Sequence, residues 1–115
     1  MNKLKNFVIS ENSNLLVASK AISINKNRCV FLERNNKIVG VFSEGDLIRA
    51  FLQGSNLNAT IKPFINYNFF FLTEKNLIEA KFFFVNNGAS IVPILDKKNM
   101  SLIDIITIYD VLKMN

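Results

Sequence analysis

The chain repeats itself. Residues 5–10 (Lys-Asn-Phe-Val-Ile-Ser) align with residues 67–72 (Tyr-Asn-Phe-Phe-Phe-Leu), each position 62 apart. The same offset pairs Asn14-Leu15-Leu16-Val17-Ala18 with Asn76-Leu77-Ile78-Glu79-Ala80. One added residue aligns Val30-Phe31-Leu32-Glu33 with Pro93-Ile94-Leu95-Asp96. One more, in a polar turn, aligns residues 38–47 with residues 102–111. A duplicated unit of this size constrains the fold strongly, because a repeat of roughly 55 residues cannot bury both faces of a small sheet and must pack on its own copy.

Both units read alike. In the first, residues 7–10 form a short apolar strand and lead through a polar turn to a helical stretch. There Leu15, Ala18 and Ile22, and beside them Val17, Ala21 and Ile24, recur at three- and four-residue spacing. Residues 29–33 and 38–42 are β-rich and flank the hairpin turn Arg34-Asn35-Asn36-Lys37. Ser43 opens a closing helix with apolar Leu47, Ile48, Phe51 and Leu52, and Gly54 stops it. The unit is β-α-β-β-α, and the fold class is α+β: two such units packed sheet to sheet with pseudo-twofold symmetry. Residues 55–67, with Pro63, carry little periodic signal, so the repeats are expected to span 1–58 and 59–115.

Composition narrows the chemistry. The chain contains no histidine and one cysteine, Cys29, which excludes a histidine-based triad, a thiolate metal cluster and an internal disulfide. The acidic residues show no pairing that predicts acid–base hydrolysis, so a non-catalytic protein is expected. No apolar run approaches the ~20 residues of a spanning helix. No secretory leader precedes the first strand, so a cytoplasmic location is expected. The formal charge of +5 is dispersed, with no basic cluster longer than Lys97-Lys98. It argues weakly for nucleic acid, and an RNA-binding reading rests on that charge alone.

The run Gly-Val-Phe-Ser-Glu-Gly-Asp-Leu at residues 40–47, set in this duplicated order of elements, resembles the CBS-domain pair (Bateman module) over essentially the whole chain. The family's pattern of glycine, two apolar residues, Thr or Ser, two variable residues and Asp stands here as Gly40, Ser43 and Asp46. In the second unit it is Thr107 and Asp110, with Asp104 in place of the glycine. Residues 88–96 also look like the family's run into its second strand. Residues 43–54 are similar to CBS pairs attached to sugar-phosphate isomerases and sugar-nucleotide transferases.

The resemblance implies a regulatory module that binds AMP, ADP, ATP or a related ligand in clefts between the repeats. Carried over, Ser43 and Thr107 contact phosphate, and Asp46 and Asp110 accept hydrogen bonds from ribose hydroxyls. It further implies a homodimer joined through helices, and control of an attached or partner nucleotidyltransferase or isomerase. Elementary chemistry supports the motif: a hydroxyl at a helix N-cap lies beside unpaired backbone N–H groups that favour an anion. The same spacing is also an ordinary capping arrangement, in which the acid bonds back to the cap. Arg49 and Lys113 each follow the Asp by three residues, as a cation for phosphate or as an i,i+3 partner of the acid. Asp104 near the second motif would repel phosphate if it faced the ligand, making the Ser43–Asp46 site the tighter one.

Two aromatic runs remain. Residues 69–71 fall on the strand matching residues 7–9 and are expected in the core. Phe82-Phe83-Phe84 lies in a helix, where three consecutive side chains cannot share one face. At least one points outward and suits a helix-to-helix dimer contact. The competing reading is a structural dimerisation module with empty, degenerate clefts, which Asp104 favours.

Overall fold

A computed structural model describes residues 3–114. The architecture is mixed α+β, and the chain divides into two compact units, Met1–Phe69 and Phe70–Asn115.

In the first unit a 3-10 turn, Lys3–Phe7, leads into β1 (Val8–Ser10), so Phe7 belongs to the turn and the strand starts one residue later than expected. Next come α1 (Leu15–Asn25), β2 (Cys29–Arg34), β3 (Lys37–Ser43) and α2 (Glu44–Leu52). The sheet order is β1-β2-β3, parallel between β1 and β2 and antiparallel between β2 and β3. Asn14 caps α1 by accepting from the Val17 N–H at 3.0 Å. Lys26 ends it in the left-handed region at φ 59°. Asn35 and Asn36, both at positive φ, make the hairpin turn, a conformation asparagine tolerates better than most residues. The core gathers Leu15, Ala18 and Ile22 of α1 with Val30, Leu32, Phe42 and Ala50. Of the two apolar stripes on α1 the first is therefore core, whereas Val17 and Ile24 face solvent.

The stretch with little periodic signal is a strap rather than a free linker. Leu15 and Leu16 donate their N–H groups to the carbonyls of Ala59 and Leu57, and Ile61 donates to Ser13. Asn66 exchanges backbone hydrogen bonds with Val41 at 3.0 and 2.9 Å. Ile61 and Ile65 are buried in the first core. Irregular sequence thus still carries core residues, spaced by turns instead of by a period.

The second unit contains α3 (Leu77–Asn87), β4 (Ile91–Leu95), β5 (Leu102–Thr107) and the short α4 (Ile108–Leu112). Its core is Leu72, Ala80, Phe84, Val92, Ile94, Ile106 and Val111. The strand expected over residues 69–72 shrinks to one parallel bridge, Leu72 to Ile94. Extending that ladder back to Phe70 would need an N–H from residue 93, which is a proline. Nor are residues 69–71 core: none is buried, and Phe70 stacks on Phe83 with ring centroids 4.4 Å apart.

Strand pairing also corrects the alignment. Cys29 lies opposite Ser43, and Ile91 lies opposite Thr107. Cys29 and Ile91 are therefore equivalent and still 62 positions apart, like the helix ends Lys26 and Gly88. Both added residues fall in the second hairpin, and neither precedes the strand.

Candidate functional site

Extended backbone carries β3 into Ser43 and β5 into Thr107, and each hydroxyl residue then caps the helix that follows. In the first unit, Ser43 Oγ accepts from the Asp46 N–H at 3.1 Å. Asp46 Oδ2 in turn accepts from the Ser43 N–H at 2.8 Å and from its hydroxyl at 2.9 Å. The second unit repeats this box. Thr107 Oγ1 accepts from the Asp110 N–H at 3.3 Å, and Asp110 Oδ2 accepts from the Thr107 N–H at 2.8 Å and its hydroxyl at 3.2 Å. The next N–H in each unit is tied down as well, Glu44 to the Arg28 carbonyl and Ile108 to the Ser90 carbonyl, both at 2.8 Å.

In both boxes one carboxylate oxygen, Oδ2, takes all the capping bonds. Oδ1 is left out of the cap and is the atom able to accept from a ligand hydroxyl. The units differ in what meets that atom. Arg49 donates from Nη2 to Asp46 Oδ1. Lys113, by contrast, sits at the end of the short α4, and among the described residues no ion pair joins it to Asp110. The i,i+3 pairing thus holds for Arg49 alone.

Gly40 and Asp104 differ for a reason internal to the fold. A Cβ on Gly40 would stand 2.5 Å from Ile65 Cγ2 and 3.1 Å from the Asn66 carbonyl oxygen. The glycine is demanded by the strap that crosses it. Asp104 lies on β5 two residues before buried Ile106 and three before Thr107. Strand alternation sends the Asp104 and Thr107 side chains to opposite faces. Its carboxylate instead accepts from the Ile105 N–H at 2.8 Å. The condition under which Asp104 would repel a phosphate at Thr107 is not met on this strand.

Sequence reasoning missed one charged cluster. Glu11 is buried, 4% exposed, and its carboxylate accepts from the Arg34 guanidinium through both oxygens and from the Tyr67 hydroxyl at 3.1 Å. The Arg34 hydrogen bonds hold the Glu11 carboxyl down to about 2, outweighing the burial that pushes it up, with Tyr67 and the charges of Arg34 and Lys62 assisting. The signal was the parallel pairing: Ser10 beside Glu33 brings the next residues, Glu11 and Arg34, to the same end. Cys29, across the ladder from Ser43, is buried. Burial and then the Asp46 charge push its thiol up to about 12, so it is no nucleophile at neutral pH.

A family model described as "CBS domain" matches residues 1–53. No curated protein matches the sequence. Several solved structures share the fold. The CBS domain protein PAE2072 from Pyrobaculum aerophilum, complexed with AMP, superposes with a TM-score of 0.79 at 18% identity, covering 99% of this chain and 92% of that one. The CBS domain pair of protein MJ0100, in complex with 5′-methylthioadenosine and S-adenosyl-L-methionine, gives 0.78 at 17% identity over 93% and 85%. The cytosolic domain of the Mg2+ channel MgtE, in complex with ATP, gives 0.73 at 16% identity over 91% of this chain and 43% of that one. Residues 1–53 are thus matched as a CBS domain, within a chain that has the fold of the CBS domain pair over nearly all its length.

Proposed function

We propose that the chain is a non-catalytic regulatory module that binds an adenosine-type nucleotide through its two Ser/Thr-x-x-Asp motifs. Ser43 and Thr107 turn their hydroxyls to phosphate. Asp46 and Asp110 accept from ribose hydroxyls, and Arg49 and Lys113 supply positive charge. The observation that carries this reading is the identical construction of the two boxes, each leaving one carboxylate oxygen out of the cap. It is supported by three proteins of the same fold that were captured with AMP, with S-adenosyl-L-methionine and 5′-methylthioadenosine, and with ATP.

The similarity of residues 43–54 to CBS pairs of sugar-nucleotide transferases and sugar-phosphate isomerases suggests the output, control of an attached or partner enzyme of that metabolism in the cytoplasm. Control requires a ligand that prefers one of two arrangements of the module. The working unit is a homodimer, supported by the exposed apolar stripe Ile78, Phe82 and Val85 along one side of α3.

A structural dimerisation module with empty sites is the second reading. It is favoured by the Arg49 contact, which already fills the outer oxygen of Asp46. Melting in the presence of AMP, ADP or ATP separates the two. A ligand at ~100 times its Kd stabilises a fold by about 2.7 kcal/mol, which moves the Tm of a small domain by several degrees. At least one of the three should do so. If none shifts the Tm at millimolar concentration, nucleotide binding is wrong and the dimerisation reading stands.

A further inference from the structure

We infer that Arg49 makes the first motif phosphate-dependent: its guanidinium holds the ribose-accepting oxygen of Asp46 and passes to the 5′-phosphate when a nucleotide binds, so that a nucleotide is accepted where the bare nucleoside is disfavoured. This rests on the nucleotide-binding reading above and assigns the specificity of that same site.

The geometry is local to α2. Asp46 Oδ2 is taken by the Ser43 N–H and hydroxyl, so Oδ1 is the oxygen left for a sugar, and Arg49 Nη2 donates to it. The guanidinium lies close over residue 45, which as glycine leaves its approach open. A Cβ on Gly45 would lie 3.6 Å from Arg49 Nη1, 4.0 Å from Nη2 and 3.6 Å from Ser43 Oγ. The Arg49 head therefore folds back over the first turn of the helix, beside the hydroxyl assigned to phosphate. The Arg49 side chain is 61% exposed, so nothing packs it in place and it is free to turn from one partner to another. The second unit lacks the device: Tyr109 stands where Gly45 would be, and among the described residues Lys113 makes no ion pair.

The energetics give the selectivity its sign. A nucleoside must share or displace a cation already bound to the oxygen it needs and offers that cation nothing in return. A phosphate offers the guanidinium two anionic acceptors in a matching fork, a better partner than one carboxylate oxygen. An exposed ion pair is weak, so freeing Asp46 is worth only about twofold in affinity. The lost phosphate contact is worth about tenfold. The two ligands therefore respond to removal of Arg49 in opposite directions.

Titration of the full chain with AMP and with adenosine, followed by NMR at the Gly45 amide, tests this. Gly45 has no glycine counterpart at Tyr109, so its signal reports the first motif alone. Arg49→Ala should weaken AMP about fivefold and tighten adenosine about twofold, and Arg49→Lys should restore part of the AMP preference. Weakening of both ligands alike, or no change in either, overturns the Arg49 assignment while leaving nucleotide binding intact. No response of the unaltered chain to either ligand overturns the Arg49 assignment, and the same silence toward ADP and ATP overturns the nucleotide reading as well. Because Arg49 is exposed, the variant's Tm should stay near that of the unaltered chain, which separates lost binding from lost folding.

Discussion

A Cβ at position 40 has nowhere to go: Ile65 Cγ2 would be 2.5 Å away and the Asn66 carbonyl 3.1 Å. Gly40→Ala should therefore cost about 1–3 kcal/mol, the usual penalty of overpacking a filled site. Gly45→Ala meets only ordinary contacts near 3.6 Å and relieves a helical glycine, so it should be neutral or stabilising. Chemical denaturation of the two variants checks the pair, and equal effects would contradict the account of the strap. Glu11 makes the second prediction at this scale. Its carboxyl is held at about 2 against an ordinary 4.5, so it is more acidic folded than unfolded. The stability it adds is complete above about pH 4.5 and is lost as pH falls toward 2. Glu11→Gln should melt lower at pH 7 and lose less stability than the unaltered chain on acidification. Parallel Tm-against-pH curves for the two proteins would contradict the assigned role. Sequence alone placed Ser43, Asp46, Thr107 and Asp110 correctly in matched caps, because a hydroxyl residue three before an acid has a local meaning. Glu11, Arg34 and Tyr67 come from distant positions and become visible only once the register of β1 and β2 is known.

The elements themselves were largely legible. The asparagines before α1 and α3 cap both helices, and the asparagine pair makes the first hairpin. The strand expected at residues 69–72 failed for two local reasons. Pro93 cannot donate the ladder bond toward Phe70. The way from Leu72 to the cap at Asn76 is also one residue shorter than from its counterpart Ile9 to Asn14, since both face residues 62 apart, Ile94 and Leu32. Pro93 stands in the sequence, but the match of residues 69–71 to residues 7–9 carried the expectation of a strand. The helix run Phe82-Phe83-Phe84 divides as helical geometry requires: Phe84 is core, Phe83 stacks on Phe70, and Phe82 is 70% exposed. With Ile78 and Val85 it forms the stripe assigned to the dimer. Phe82→Ser should convert the proposed dimer to monomer at tens of micromolar while changing the stability of the fold itself by no more than about 1 kcal/mol. A mass measurement giving the same species for both proteins would remove α3 from the interface.

At the scale of the molecule, duplication was the informative feature, and it survived correction in detail. The helices, the antiparallel hairpins and the capped closing helices recur in both units, although the first unit keeps a third strand and the second does not. No helix among the described residues is long and apolar enough to cross a membrane. The two boxes are a constellation of polar side chains built twice over. Binding of an adenine nucleotide by these boxes, as proposed above, is read by calorimetric titration with AMP, ADP and ATP. The unaltered chain should bind at least one of them, and a chain carrying both Asp46→Asn and Asp110→Asn should lose that heat, each amide leaving the ribose hydroxyls with a poorer acceptor. Absence of binding by the unaltered chain, or an unchanged isotherm for the double variant, would contradict the account.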